Sequence, residues 1–365
     1  MTGGKAGPVT MHPQDLERLR GALPAELEHL YLPGCEAPWL LAEAMRAPAP
    51  ITALRSGRYA KLIDRPIMRG LLAAAGDGTL HPADLALLAN PENLPSTPGP
   101  AANAALDAAL RETWFRFRLS FGIWGACEDT FGNQTSRMGA SFVVRLNFPH
   151  EHDGALMAAF KGDRIRRRFE ARSHPVGTNG SMTLAWARLD WDRSRGDLLI
   201  EELQCDWIRF VRRRMANAKC DKERLRIGHY QRTVLKPFEK IWPSAMMLAA
   251  IRFGARVLEC RRIWLHQPEP GLLLKGIDGD GPPRSLYTAL PRRFCFEPTT
   301  DCPDFLARVV GKRLKRFTTR DLPIFWRLDL DAPAIPQRAE NALRNNNFAC
   351  GPLGASYDYK ETRHG

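Results

Sequence analysis

Residues 198–207 read Leu198-Leu199-Ile200-Glu201-Glu202-Leu203-Gln204-Cys205-Asp206-Trp207, and this stretch decides the fold. Three apolar residues run directly into two carboxylates, an amide, a thiol, a third carboxylate and an indole. An apolar strand that ends in ionisable side chains is typical of a strand whose end borders a cleft. The stretch therefore predicts a central strand with a candidate site at its C-terminal end.

The residues around this stretch predict the sheet to which it belongs. Segment 183–191 has strand composition, residues 192–196 (DRSRG) have turn composition, and residues 197–204 return, which predicts a hairpin near the centre of a sheet. Two earlier segments, 114–119 and 142–148, alternate apolar residues with arginine or asparagine, which predicts half-buried antiparallel strands.

Helices and strands alternate through the rest of the chain. A helix is predicted after a cap at Asp153. The elements predicted after the hairpin are a helix over 238–258, a strand over 262–266, a helix over 284–293, a strand over 294–297, a basic helix over 305–316 and a strand over 324–330. The fold class is α+β, with a mixed, largely antiparallel sheet flanked by helices.

Four regions divide the chain. Leucines recur at helical spacing between residues 16 and 30, so residues 1–92 are predicted to be an all-helical N-terminal region. A proline-rich run predicts a linker over 93–104, and residues 105–330 form the α+β domain. Residues 331–365 turn to proline, asparagine and glycine, which predicts a loosely ordered tail.

Composition points to an anionic partner. Lysine and arginine number 53 against 40 acidic residues, giving a net charge of +13. Such an excess favours nucleic acid or another polyanion, although it also solubilises a protein without any partner. The eight cysteines form no Cys-x-x-Cys pair, which predicts reduced thiols of a cytoplasmic protein. No apolar run is long enough to cross a membrane.

The order from residue 198 onward carries a family resemblance. That order, together with residues 286–297 (LYTALPRRFCFE), resembles the C-terminal half of GCN5-related N-acetyltransferases. There, a tyrosine-bearing helix leads into a strand reading approximately lYeklGFe. The resemblance implies a general base at Glu201 or Glu202 and a general acid at Tyr287 toward the coenzyme A thiolate. A partly buried carboxylate suits the base, because burial raises its pKa towards the working range.

The sequence departs from that family at the cofactor loop. The family places a glycine-rich loop directly after the strand, where amides at a helix N-terminus bind the diphosphate. Here residues 205–227 contain no glycine, and residues 208–236 separate the strand from the long helix. The cofactor is left open, with acetyl-coenzyme A as a candidate.

A second, local resemblance covers the stretch itself. Residues 200–207 (IEELQCDW) resemble an EEIQSDW signature of large polyvalent proteins of phages and conjugative elements, with Cys205 in place of serine. Residues 237–242 (PFEKIW) match the helix start that follows the signature in those proteins. The resemblance implies mobile-element biology and no particular reaction.

Each candidate site residue has a structural alternative. One alternative concerns the candidate ligand-binding residues Gln204, Asp206 and Trp207. They either bind a ligand or have a structural role, in which they cap a helix and pack against the end of the sheet. His266, at a strand end, either faces the same cleft as Glu202 or is held by a backbone carbonyl. Residues 150–153 (HEHD) predict a helix N-terminus with solvated histidines rather than a metal site.

Three basic tracts with neighbouring phenylalanines form the other candidate site. Such tracts track a phosphate backbone while aromatic rings stack on bases, or they are solvated helix faces. The candidate nucleic-acid-binding residues are Arg166, Arg167, Arg168, Arg212, Arg213, Arg214, Lys312, Arg313, Lys315 and Arg316.

Two functional hypotheses follow. The first is an acyltransferase or acyltransferase-derived protein of unknown substrate, with its cleft at the end of the 198–207 strand. The alternative is a non-enzymatic nucleic-acid-associated protein of phage or mobile-element origin that uses its basic faces. The sequence leaves the oligomeric state open.

Overall fold

A computed structural model describes residues 13–90, 114–125, 134–160, 169–171, 173–177, 181–279 and 281–335. The strands in these ranges are β1 (Leu27–Tyr31), β2 (Ala49–Pro50), β3 (Thr79–Leu80), β4 (Phe115–Trp124), β5 (Ser141–Asn147), β6 (Thr183–Asp192), β7 (Asp197–Gln204), β8 (Arg262–His266), β9 (Glu297–Thr299) and β10 (Phe325–Asp329).

Helices pack on both sides of these strands. They are α1 (Pro13–Ala22), α2 (Glu36–Ala44), α3 (Ile51–Leu54), α4 (Ala60–Ile63), α5 (Arg69–Ala74), α6 (Pro82–Ala89), α7 (His150–Ala159), α8 (Asp206–Ala216), α9 (Asp221–Tyr230), α10 (Lys236–Arg256), α11 (Pro268–Lys275), α12 (Ala289–Arg293), α13 (Ala307–Arg313) and α14 (Lys315–Thr318). Short 3₁₀ turns cover Pro66–Met68, Arg284–Tyr287 and Asp304–Leu306, and a π-helical turn at Gln231–Leu235 joins α9 to α10. Within the described residues, no helix is long and apolar enough to cross a membrane.

Eight of the strands form one mixed sheet, so the α+β prediction is confirmed. Their order is β1-β4-β5-β6-β7-β8-β10-β9, and β2 pairs with β3 in a separate two-stranded sheet. Every neighbouring pair in the large sheet is antiparallel except β7 and β8. The long crossover through α8, α9 and α10 produces that one parallel pair, because parallel neighbours cannot be joined by a tight turn.

The predicted hairpin is confirmed as β6 and β7, in the interior of the sheet. Asp192 organises its turn, since its Oδ1 accepts hydrogen bonds from the Ser194 hydroxyl at 2.6 Å and from two backbone amides. Gly196 has a φ of 66°, a conformation that glycine adopts without steric cost. Further along, Arg188 pairs with Glu202 but Leu189 pairs with Ile200, so Glu201 is the extra residue of a β-bulge.

The prediction of an all-helical N-terminal region is wrong. Residues 27–31 form β1, which pairs with β4 at the edge of the large sheet. His29 and Tyr31 are buried while Glu28 is exposed, so the segment alternates with the period of a strand. The helical spacing of the leucines concealed this alternation, and the unpaired edge of β4 supplied the hydrogen-bonding partner.

Other element boundaries also differ from the prediction. Residues 294–296 are not a strand: all three side chains are buried in succession, and Cys295 has a φ of 59° that breaks the extension. Helix α7 begins at His150 rather than after a cap at Asp153. The predicted linker at 93–104 lies outside the described residues, as does the tail beyond residue 335.

Strand β7 separates two apolar clusters. Leu198, Ile200 and Leu203 belong to the larger cluster, which contains the buried length of α10. Leu199 points the other way, into a smaller cluster with Leu274 of α11. Helix and strand approach so closely that a Cβ on Gly254 would lie 2.4 Å from Leu198 Cδ2. Packing on both sides therefore fixes the strand that carries the polar stretch.

Candidate functional site

The parallel strands part where the polar residues begin. The register of β7 and β8 runs from Asp197 with Arg262 to Ile200 with Leu265. Strand β7 continues to Gln204, whereas β8 ends at His266, so residues 201–204 have no partner in β8. The backbone N–H of Leu203 instead donates to Tyr287 Oη at 3.3 Å. The gap between the strands thus opens at Glu201 and is bridged by a phenol.

A cavity of about 430 Å³ lies at this opening. Glu202, His266 and Tyr287, three of the four predicted catalytic residues, line it together. Within the described part of the wall, Glu202 is the only carboxylate. The other lining residues are Gln267, Pro268, Gly271, Leu272, Lys275, Ile277, Gly279, Gly281, Pro282, Pro283 and Arg284. The wall of this cavity therefore combines side chains that can transfer protons with apolar side chains.

Glu201, the fourth predicted catalytic residue, is fully buried behind the cavity. Ser136 donates to it from the backbone N–H at 2.8 Å and from Oγ at 2.6 Å. His266 Nε2 lies 3.2 Å and Lys275 Nζ 3.6 Å from its carboxylate oxygens. Burial alone would raise the pKa of Glu201, but the charge of Lys275 and the contact with His266 outweigh burial and lower it. Glu201 is an ionised anchor and not a proton acceptor.

His266 connects this anchor to the cavity. Burial lowers the pKa of His266 although Glu201 opposes the shift, so the ring is neutral. Because Nε2 faces the ionised Glu201, that nitrogen is assigned the proton and Nδ1 is left as an acceptor. Nδ1 is buried and has no hydrogen-bond partner among the described residues. A Cβ on Gly271 would lie 2.8 Å from His266 Cβ, so only glycine allows α11 to pack on this ring.

Glu202 is held differently from its neighbour. Its Oε2 accepts a hydrogen bond from Arg188 Nη2, and Arg188 also donates to the carbonyl of Gln134 at 3.0 Å. The side chain of Glu202 is 12% exposed whereas that of Glu201 is fully buried. The bulge separates the two roles, because it places one carboxylate in the wall and the other in the network behind it.

Tyr287 lies opposite Glu202 in the wall. Trp326 Nε1 donates to its backbone carbonyl at 2.8 Å, which fixes the 3₁₀ turn that carries it. Burial raises the pKa of the phenol, and the negative charge of Glu202 raises it further. Tyr287 therefore keeps its proton and can donate it.

Two of the three predicted ligand-binding residues, Gln204 and Asp206, lie in a second polar cluster. Asp206, the first residue of α8, accepts hydrogen bonds from Gln204 Nε2 at 2.6 Å and Trp186 Nε1 at 3.1 Å. His174 Nδ1 lies 2.7 Å from Asp206 Oδ2. Burial alone would raise the pKa of Asp206, but the hydrogen bond and charge of His174 outweigh it and the pKa is lowered. This cluster lies at the end of β7 and does not line the cavity.

Trp207 and His152 belong to the core, whereas His150 is exposed. Trp207 is fully buried and its Nε1 donates to Tyr230 Oη at 2.8 Å. His152 Nε2 lies 2.7 Å from the same hydroxyl, and its ring stacks on Phe148 with centroids 3.6 Å apart. The prediction of solvated histidines is therefore wrong for His152. Across the residues the structure describes, no cluster of histidine, cysteine or acidic side chains could hold a metal ion.

The basic residues within 212–214 and 312–316 do not line the cavity. Arg166, Arg167 and Arg168 fall outside the described residues. Arg212 and Arg213 are exposed on α8, and Arg214 pairs with Glu223 at 2.7 Å. The four predicted residues of the third tract, Lys312 and Arg313 of α13 and Lys315 and Arg316 of α14, are exposed. Of these, Arg316 pairs with Glu269 and Arg313 donates to the carbonyl of Leu274.

Sequence reasoning missed four residues that build the site: Lys275, Arg188, Ser136 and His174. Arg188 carried a detectable signal, because a charged residue inside an apolar strand opposite Glu202 is explained by the register of the hairpin. The other three reach the site through tertiary packing, which no local pattern reports.

No family model, curated protein or solved structure matches this chain.

Proposed function

We propose that this chain is an acyltransferase-derived enzyme that transfers an acyl group to a small nucleophile in the cavity where β7 and β8 part. The observation that carries the proposal is the convergence of Glu202, His266 and Tyr287 on that cavity. A carboxylate and a protonated phenol in the same wall are the pair that acyl transfer needs, one to accept a proton and one to donate it.

The strand arrangement supports the same proposal. A likeness to N-acetyltransferases requires one splayed pair of parallel strands inside an otherwise antiparallel sheet. Strands β7 and β8 are the one parallel pair of the large sheet, and they separate after Ile200. The bulge at Glu201 and the phenol of Tyr287 keep the gap open.

The residues at the start of α8 do not fit coenzyme A. A diphosphate at that helix N-terminus needs free backbone amides and no competing negative charge. Here the first turn begins with the carboxylate of Asp206, which is 3% exposed and hydrogen-bonded on both oxygens. A diphosphate would meet that charge at close range, so the acyl donor we propose is a thioester that is not held through a diphosphate at α8.

The proposed step uses two residues directly. The nucleophile attacks the thioester carbonyl, the new bond to carbon forms, and the carbon–sulfur bond breaks. Glu202 accepts the proton of the nucleophile, and Tyr287 donates its proton to the departing sulfur. His266, Glu201 and Lys275 position the ends of β7 and α11, since they form one buried network behind the wall.

The test is thiol release from S-acetyl-N-acetylcysteamine and from acetyl-coenzyme A, with a primary amine such as ethanolamine as the acceptor. We expect the wild-type protein to release thiol from both donors at comparable kcat/KM. Glu202→Gln is expected to lower the rate by about 10²–10⁴-fold, the usual contribution of a general base. Glu269→Gln is the matched control, because Glu269 is an exposed α11 carboxylate outside the cavity.

Three results would contradict the proposal. One is the absence of thiol release above the uncatalysed rate with both donors. Another is a Glu202→Gln variant as active as Glu269→Gln. A strong preference for acetyl-coenzyme A over the truncated thioester would overturn the statement that the diphosphate is not recognised.

A second candidate function is nucleic-acid association, and one observation favours it. Helices α8 and α9, joined by a short loop, both expose arginines, including Arg213 and Arg226. We expect binding to double-stranded DNA to weaken steeply with salt, and each Arg→Gln change to reduce the slope of log K against log[salt] by about one. Arg55→Gln, elsewhere on the surface, is the control. A slope that neither arginine changes would exclude this role.

A further inference from the structure

A second cavity, of about 720 Å³, lies beside strands β4 and β5 of the large sheet. It is bounded by α1, β4, β5 and the first turn of α7. Among the described residues, those that line this cavity and those that line the cavity of Glu202 do not overlap. Its charged and polar lining residues are Glu17, Arg20, Glu26, Arg118, Ser120, Arg145, His150, Asp153 and Ser181.

Arg145 is the unusual member of this wall. It projects from β5 and is half-buried; its Nε donates to the Pro175 carbonyl at 2.6 Å and its Nη1 to the Phe121 carbonyl at 2.7 Å. Both acceptors are neutral, and no carboxylate of the described residues forms an ion pair with this guanidinium. Burial, with a smaller contribution from repulsion by Arg20, lowers the pKa of Arg145 to about 10.

Two acidic residues of this wall form ion pairs with arginines other than Arg145. Glu17 pairs with Arg20 at 2.6 Å, and Glu26 pairs with Arg118 at 3.2 Å. Asp153 also lines the cavity and forms no ion pair with Arg145 among the described residues. A half-buried cation that lacks a counter-charge is unfavourable, because buried charges are ordinarily paired. Arg145 therefore has no paired carboxylate among the residues that the structure describes.

Two neighbours shape the wall around this guanidinium, one by giving it room and one by offering a donor. Gly122 is the residue beneath the guanidinium: a Cβ there would lie 2.2 Å from Arg145 Nη2, so the absence of a side chain is required. Ser120, paired with Arg145 across the strands, accepts a hydrogen bond from Asn147 Nδ2 at 2.9 Å, which leaves its hydroxyl proton for a ligand. Arg118 adds a buried Nη2 without a partner in the described residues.

We propose that this cavity is a second binding site, which takes the phosphate or carboxylate group of a small molecule on Arg145, Arg20 and Ser120. A planar guanidinium matches either group, because both present two oxygens to its parallel N–H donors. The site does not depend on the reaction proposed for the Glu202 cavity, since the two walls are separate.

The test is thermal unfolding of the full chain in rising concentrations of sodium phosphate or sodium acetate, with sodium chloride at matched ionic strength as the reference. We expect a saturable rise in Tm with phosphate, acetate or both, beyond the chloride reference. Arg20→Gln is expected to weaken the apparent affinity by about tenfold, the value of one lost charge-assisted contact. Arg18→Gln, on the same helix but outside the cavity, is expected to behave as wild type.

Arg145→Gln completes the design. It is expected to abolish the saturable response, and its folding is checked by circular dichroism before titration. Arg20 is exposed, so the Arg20→Gln arm keeps the proposal falsifiable should Arg145→Gln not fold. The proposal is overturned if both anions act as chloride does, or if Arg20→Gln and Arg18→Gln respond alike.

Discussion

Replacing Lys275 with methionine tests the buried network behind the Glu202 cavity. The substitution keeps the length of the side chain and removes the ammonium that lies 3.6 Å from Glu201. The Lys275 side chain is 5% exposed and that of Glu201 is fully buried, so water cannot replace the lost charge. Removing one partner of such a pair usually costs about 3–5 kcal/mol, because the other charge stays buried without compensation.

The contacts that remain set the expected magnitude. Ser136 still donates two hydrogen bonds to Glu201, and His266 stays within 3.2 Å. We therefore expect the lower end of the range, about 3 kcal/mol, which is roughly a hundredfold in the folding equilibrium constant. The assay is urea denaturation followed by tryptophan fluorescence. The exposed Lys240 is the control site, and Lys240→Met should change the free energy of unfolding by less than about 0.5 kcal/mol.

A double variant separates charge from packing. Glu201→Gln combined with Lys275→Met leaves no uncompensated charge, so it should be more stable than Lys275→Met alone, with a coupling of about 0.5–3 kcal/mol. The reasoning is refuted if Lys275→Met costs less than about 1 kcal/mol. It is equally refuted if the two changes are simply additive.

Three further outcomes are expected. Because the folded-state pKa of Glu201 is lowered, its contribution to stability is fully present above the unfolded pKa of about 4.3 and is lost as pH falls below it. In urea titrations from pH 6 to 3, Glu201→Gln should therefore lose less stability on acidification than the wild-type protein. Equal losses would contradict the conclusion that Glu201 is ionised in the folded protein. Gly254→Ala should lower the free energy of unfolding by about 1–3 kcal/mol, because its methyl group would contact Leu198 too closely. Gly70→Ala, which has open space around it, should be neutral or stabilising. The same denaturation assay compares the two variants, and similar free energies of unfolding would contradict the packing argument. Asp206→Asn should lower stability by about 1.5–3 kcal/mol through weaker hydrogen bonds to its buried donors; an unchanged unfolding midpoint would show that its charge is dispensable.

Segments with a strong local pattern were predictable from the sequence. The β6–β7 hairpin has two strand-like apolar segments on either side of a turn that contains Asp192 and Gly196. Strand β8 was predicted with the same bounds that the structure gives it. Strand β1 was missed because its leucines fit a helical period, and only pairing with β4 selects the extended form. Residues 294–296 look like a strand, yet the positive φ of Cys295 depends on tertiary burial of the flanking phenylalanines.

The position of the candidate site was predictable from the sequence, but the different roles of Glu201 and Glu202 were not. An apolar run that ends in carboxylates located the cleft, and the likeness to a tyrosine-bearing helix brought Tyr287 to the same wall. Two adjacent glutamates are equivalent in a sequence, however. Only the bulge, together with Ser136 and Lys275 from distant segments, makes Glu201 a buried anchor and leaves Glu202 in the cavity.

The backbone hydrogen bonds of β7 differ in stability on the two sides of the bulge. Residues 198–200 hydrogen-bond to strands on both sides and pack in the apolar clusters, whereas residues 202–204 are paired with β6 but not with β8. Amide protons in the first half should exchange with solvent only when the whole domain unfolds. Those in the second half need only a local fluctuation of the Tyr287 segment. The cleft can therefore open to admit a ligand while the apolar half of the hairpin stays intact.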